Sequence, residues 1–226
     1  MTLAEVLEAL PALGSASIKK VLVKHGAREP FYGVKTEDLK RIQRRIKVDY
    51  ALSIQLYDTG ISDAMYLAGL IADPLKMSKA DLQRWVEGAN WYLLSEYTVP
   101  NVASKNPFGL ELSLDWIEAP EEMIGSAGWT TLADMIKEGV VLDEALLGKL
   151  LMRVEGEIHV SANRVRYCMN RFVISVGLYC FGLSDEALAV ATRIGKVKVN
   201  MGETACKVPF APDYINQSKG CAGGAE

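Results

Sequence analysis

Residues 36–49 read TEDLKRIQRRIKVD, and their spacing fits one regular structure. Leu39, Ile42 and Ile46 fall three and four apart, the period of one face of an α-helix rather than of a strand. Thr36 stands where an N-cap is expected, and Glu37 and Asp38 fill the first turn, where carboxylates favour the helix dipole. Lys40, Arg41, Arg44, Arg45 and Lys47 lie outside the apolar stripe, so the predicted helix is amphipathic with a basic outer face.

The neighbouring segments repeat the habit. DYALSIQLYDTG (49–60) and SDAMYLAGLIADP (62–74) follow, the second with Ser62 as its expected cap and Pro74 as its stop. SKADLQRWVEGANWYLLSEYTVP (78–100) is predicted to start at Ser78 and to end before Pro100. Residues 119–139, 142–159 and 161–180 continue in the same period. Helices of roughly 10–20 residues, paired every ~40 residues and separated by Gly and Pro, have the cadence of HEAT or armadillo arrays. The expected fold is therefore all-α, a HEAT/armadillo-like α-solenoid of stacked helix pairs over 1–195; an irregular helical bundle is the alternative.

One segment departs from this. KVKVNMGETACKVP (196–209) alternates Lys and Val and then turns at Asn200-Met201-Gly202, which predicts a short hairpin or extended strap over 196–215. The strap is expected to cap the last apolar surface of the solenoid, with a phosphate-tracking role for Lys196, Lys198 and Lys207 as the alternative. Residues 216–226 have little to bury and read as a flexible tail.

Composition narrows the function. The chain of 226 residues is half apolar, enough for a sizeable core, and carries a net charge of −3. No segment approaches a membrane span, and the acidic N-terminus does not resemble a secretory signal, so a cytoplasmic location is expected. Four cysteines without a CxxC pair and two histidines without a helically spaced second ligand predict neither a metal nor another cofactor. The charge is unevenly spread. Residues 19–47 hold ten Lys/Arg against three acids, a local net of +7, leaving −10 for the rest. A basic face on an acidic molecule suits an anionic partner; a merely solvated basic face is the competing reading.

The stretch GANWYLLSEY (88–97) pairs two adjacent aromatics, Trp91 and Tyr92, with Glu96, placed four residues after Tyr92. Tyr92 and Glu96 would share a helix face, lining a cleft; core packing for the aromatics and a surface charge for Glu96 are the alternatives. Arg164 and Arg171, seven apart, share a face of their helix, whereas Arg166 lies off it.

FYGVKTEDLKRIQRRI (31–46) resembles the entry helix of the AlkD-like DNA alkylation repair family, with its YGV turn and basic amphipathic helix. LSIQLYDTGISDAMYLAGLIAD (52–73) and LQRWVEGANWYLLSEY (82–97) resemble the elements that follow in that family, and the likeness covers about residues 30–190. The resemblance implies a solenoid of HEAT-like repeats that holds duplex DNA in a basic concave face and excises N3- and N7-alkylated purines. On that likeness Tyr92 and Glu96 take the places of the catalytic aromatic and carboxylate. Trp91, Arg41, Arg44, Arg45, Arg164 and Arg171 would contact the alkylated duplex. A cationic purine is a ready leaving group, so a carboxylate facing the developing oxocarbenium and an aromatic face would suffice. The family's second tryptophan has no counterpart here, where the matching helix MNRFVISVGLY is aliphatic near Val176. A non-catalytic scaffold that uses the same face for protein or structured nucleic acid is the competing expectation.

Overall fold

The computed structural model describes residues 1–222; residues 223–226, the end of the expected tail, lie outside the described residues. The described residues form thirteen α-helices without a strand: α1 (Leu3–Leu13), α2 (Ala16–Lys24), α3 (Thr36–Ile46), α4 (Tyr50–Tyr57), α5 (Ser62–Ile71), α6 (Lys79–Gly88), α7 (Val99–Ala103), α8 (Gly109–Trp116), α9 (Glu122–Lys137), α10 (Glu144–Glu157), α11 (Asn163–Tyr179), α12 (Ser184–Ile194) and α13 (Ala211–Ala222). A π-helical turn at Leu94–Thr98 leads directly into α7.

Successive odd-numbered helices pack side by side: α3 on α5, α5 on the π-turn and α7, α7 on α9, and α9 along α11. Even-numbered partners back them, α4 on α5, α6 on α7, α8 on α9 and α12 on α11, which gives the two layers of a HEAT-like solenoid. α3 is buried on the stripe of Leu39 and Ile42 and carries polar residues on the other side. α9 is buried over most of its length because helices cover it on several sides, and its Gly128 permits the closest approach. A Cβ at Gly128 would lie 2.8 Å from the Ile117 amide nitrogen and 2.9 Å from the Ser113 oxygen of α8.

Two expected caps are not caps. α3 starts from Lys35 without a side-chain cap, and the Thr36 hydroxyl bonds instead to Tyr66. Ser62 is the first residue of α5 and is buried, while the adjacent Asp63 accepts from the Tyr32 amide at 2.6 Å and the Val34 amide at 2.8 Å. That carboxylate holds the YGV turn, whose Gly33 has φ +76 and sits against α2. For Thr36 the tertiary bond to Tyr66 outweighs the local capping preference, whereas the buried Ser62 hydroxyl has no hydrogen-bond partner among the described residues. Ser78 does cap α6, through a reciprocal capping box with Asp81.

The helix expected over 78–100 is two. α6 ends at Gly88, Trp91 lies in the bend that follows, and a second helical run begins at Tyr92 and passes through Pro100 into α7. Pro100 has no N–H to donate, and its ring would clash with the carbonyl four residues back in a regular α-helix. The wider π-turn just before it removes that conflict, so the proline bends the run without ending it.

Residues 196–210 run extended without forming hairpin strands. Val197 is buried in the C-terminal core, against which Val199 and Val208 also pack. The segment does more than cover the solenoid end. Its tip crosses to α2, where Gly202 lies against the Lys24 carbonyl and Glu203 reaches the Lys24 ammonium at 4.0 Å. Residues 211–222, divided by the sequence reading between strap and tail, form one helix, α13, with Ile215 buried against Gly177 of α11. The apolar contact on α11 stabilises a helix whose own composition gave little sign of it.

Candidate functional site

The adjacent aromatics of the 88–97 stretch diverge. Trp91 is 4 % exposed, in the N-terminal core, because it precedes the helix and turns inward; it borders a small, mostly apolar cavity with Leu22, Phe31 and Leu93 rather than the central cleft. Tyr92, the first helical residue, is half-buried and faces the inner side, and its hydroxyl and the Nδ1 of His25 share a hydrogen bond of 2.8 Å.

Glu96 does not project into solvent. It is 1 % exposed, and Arg164 grips both its oxygens, with Nε and Nη2 each donating at 2.6 Å. The Arg164 guanidinium lies over the Tyr92 ring at 4.5 Å and the Tyr167 ring at 4.6 Å, and the strap residue Met201 brings its Sδ to 3.6 Å from Nη1. The result is an arginine held between two tyrosine rings, closed by a carboxylate and roofed by a thioether. Burial pushes the Glu96 carboxyl above its usual range, and the Arg164 hydrogen bonds oppose that push. For Arg164 burial acts the other way, but hydrogen bonding and charge from Glu96 outweigh it and hold the guanidinium firmly protonated. Burial also raises the Tyr92 phenol, to about 12.

Arg171, two turns along α11, points to the same inner side and pairs with Asp134 of α9, with its guanidinium 5.9 Å from the Tyr97 ring. Arg166 turns away and donates to the Ser161 and Lys198 carbonyls, which anchors the strap. Asn163 adds two more bonds to the strap, donating to the Asn200 oxygen at 2.9 Å and accepting from its amide at 2.6 Å.

The basic helix α3 behaves unevenly. Arg41 pairs with Glu37 and Asp38 on its own helix, while Arg44 and Arg45 are exposed and make no ion pair with a described residue. The residue that α3 contributes to the central cleft is Lys40, which the sequence reading did not single out. That cleft, about 340 Å3, takes a residue or more from each of six successive inner elements: Lys40 of α3, Tyr66 of α5, Tyr97 of the π-turn, Asn101 of α7, Lys137 of α9 and Arg171 of α11, with Lys105 beside them. Arg171 is expected on this face with Arg164, Tyr97 stands inside the GANWYLLSEY stretch and Lys40 belongs to the basic face of α3; Tyr66 and Lys137 carry no local signal, since only packing of distant helices makes them neighbours. A smaller cavity of about 220 Å3 lies between His25, Tyr92, Arg164 and the strap tip. Among the described residues no group of His, Cys, Asp and Glu converges as a metal site, and no single helix is long and apolar enough to cross a membrane.

The chemistry of the two regions differs. The Glu96–Arg164 clamp has spent both carboxylate oxygens and is shielded from solvent, whereas the central cleft presents Lys40 and Lys137, neither of which closes a salt bridge with a described residue, beside the Asp134 and Glu138 carboxylates. Anions meet the second region more easily than the first.

The arrangement has close parallels. A solved structure described as "A new family of proteins related to the HEAT-like repeat DNA glycosylases with affinity for branched DNA structures" superposes with a TM-score of 0.88 at 33% identity, covering 98% of this chain and 95% of that one. The uncharacterized protein Lmo0209 of Listeria monocytogenes serovar 1/2a is 33% identical over 216 residues, 93% of this chain and 94% of that protein. The uncharacterized protein Lin0241 of Listeria innocua serovar 6a matches to the same extent, 33% over 216 residues. The family model described as DNA alkylation repair enzyme matches residues 6–195, and the chain belongs to that family.

Proposed function

We propose that this protein binds branched or otherwise structured DNA along its inner face, and that Tyr92 and Glu96 act as a structural clamp with Arg164 rather than as a base-excising pair. The reading rests on one observation above all: both oxygens of Glu96 are bound to Arg164 in a site 1 % exposed. A carboxylate that stabilises an oxocarbenium-like sugar must face that sugar, and a water must reach the same place. Here the sugar would have to displace a bidentate guanidinium stacked on two rings. The aliphatic position near Val176, buried in the C-terminal core, supports the same conclusion, since it stands where the family's second tryptophan would be.

Binding is supported by the cations of the inner face, Lys40, Lys105, Lys137 and Arg171, and by Arg44 and Arg45 on the exposed side of α3. Such groups meet phosphates without regard to sequence, so shape selects the substrate. A partner bent around a branch point presents phosphates on a curved track, which a curved row of inner helices matches better than a straight duplex. The free thiols of Cys168, Cys180 and Cys206 suit a reducing, cytoplasmic setting.

The test compares a four-way junction with a linear duplex of equal length by gel shift and titration, alongside release of 7-methylguanine from methylated duplex. The junction is expected to bind more tightly, with affinity falling steeply as salt rises, and no base is expected to be released. Release that disappears in a Glu96→Ala variant would overturn the clamp reading and restore a glycosylase.

A further inference from the structure

The central cleft has features that phosphate binding does not require. Its volume of about 340 Å3 falls within the usual range of small-ligand sites, roughly 300–1,000 Å3. Two of its walls are aromatic: Tyr66, half-buried, and Tyr97, whose side is 44 % exposed. Tyr97 points there because the π-turn widens the helix between Leu94 and Thr98, sending Glu96 to Arg164 and its neighbour to the cleft. Single π-turns of this kind recur at functional sites.

The polar groups are arranged for a flat polar edge. The Asn101 amide is fixed by donating to the Gly69 carbonyl at 3.1 Å and accepting from Lys105 Nζ at 3.1 Å. It retains one N–H and one oxygen lone pair, the donor and acceptor that a nucleobase edge needs. The cleft acid Asp134 is already matched by Arg171, and the exposed Glu138 stands at the end of α9. Lys40 and Lys137 remain for an anion.

We propose that this cleft takes a single nucleotide, its base against Tyr97 beside the Asn101 amide and its phosphate toward Lys40, Lys105 and Lys137. Within the DNA-binding reading, on which this inference rests for its macromolecular form, the occupant is an unpaired nucleotide at a branch point. Base–tyrosine stacking tolerates any base and is independent of the phosphate track that holds the rest of the junction. The same chemistry would admit a free nucleotide, and the test separates the two sources.

A junction carrying an unpaired 2-aminopurine at its branch point is titrated with the native protein and with Tyr97→Ala, and a fully paired junction serves as control. The native protein should quench the probe on binding. Tyr97→Ala should leave the quench absent and weaken the unpaired junction by about tenfold, with less than about a twofold change on the paired one. Equal quenching and equal affinity in the two proteins would overturn the inference while leaving the DNA-binding reading intact. Should no junction bind at all, the DNA-binding reading falls, and titration with dAMP judges the cleft by itself: saturable binding lost in Tyr97→Ala upholds a free-nucleotide site, and no saturable binding overturns it. Tyr97 is exposed enough that its truncation leaves the core intact, and circular dichroism checks that the variant is folded.

Discussion

Removing Arg164 should expose how the clamp is built. In Arg164→Ala, Glu96 stays buried but loses both 2.6 Å hydrogen bonds and its ion-pair partner, leaving only the weaker influence of Arg171 nearby. Breaking one side of a buried ion pair costs about 3–5 kcal/mol, because the surviving charge stays in a poorly solvated place. The Arg164 side chain is itself only 11 % exposed, so the solvent discount that applies to surface pairs does not apply here. The stacking on Tyr92 and Tyr167 adds about 0.5–2 kcal/mol on top. For a chain of this size the combined loss corresponds to a melting-temperature drop on the order of 7–28 °C. Burial already raises the Glu96 carboxyl above its usual 4.5, and without the guanidinium nothing nearby opposes that rise as strongly. The folded variant therefore holds the Glu96 proton more tightly than the unfolded chain does. Its stability is greatest below about 4.5 and is lost as pH climbs toward the raised value, so the deficit against the native protein should shrink from about pH 8 to about pH 5. Urea unfolding across that range measures it. A pH-independent deficit below about 1 kcal/mol would falsify the view of the pair as a buried clamp.

Three further outcomes are expected. Gly128→Ala should cost about 1–3 kcal/mol in urea unfolding, because its Cβ meets α8 backbone at 2.8 Å that cannot rotate aside; an unchanged midpoint would mean that α8 and α9 separate freely. The phenol of Tyr92, raised by burial to about 12, should appear as a late component in an alkaline absorbance titration and vanish in Tyr92→Phe. Because that folded value exceeds the unfolded one, stability should be intact below about pH 10 and decline between 10 and 12, less so in the variant. Asn163→Ala deletes two hydrogen bonds to Asn200, each worth about 0.5–1.5 kcal/mol, so trypsin should cut the strap at Lys198 or Lys207 faster while the helical core resists; an unaltered cleavage rate would place the anchorage elsewhere.

Most of the helices, and their order, were legible along the chain. Leu39, Ile42 and Ile46 mark α3, and the same period marks most of its successors, because an amphipathic helix writes its buried stripe into local spacing. The likeness of 31–46 to one repair family also lay in local residues. Local signals failed where a distant group competed for the same atoms. Thr36 left its capping role for Tyr66, and Asp63 was claimed by the YGV turn 29 and 31 residues away. Pro100, read as a stop, was absorbed by a π-turn that gains its support from α5 and α9. α13 forms where the chain reads as strap and tail, since α11 and α12 supply the apolar surface it rests on. The character of the site came from packing between distant helices. Glu96 and Arg164, 68 residues apart, become one buried pair, and Lys40, Tyr97, Lys137 and Arg171 become one cleft. Charge pairing and desolvation depend on distances across helices, which spacing along the chain does not encode, so the same glutamate that looks available in sequence is committed in the fold.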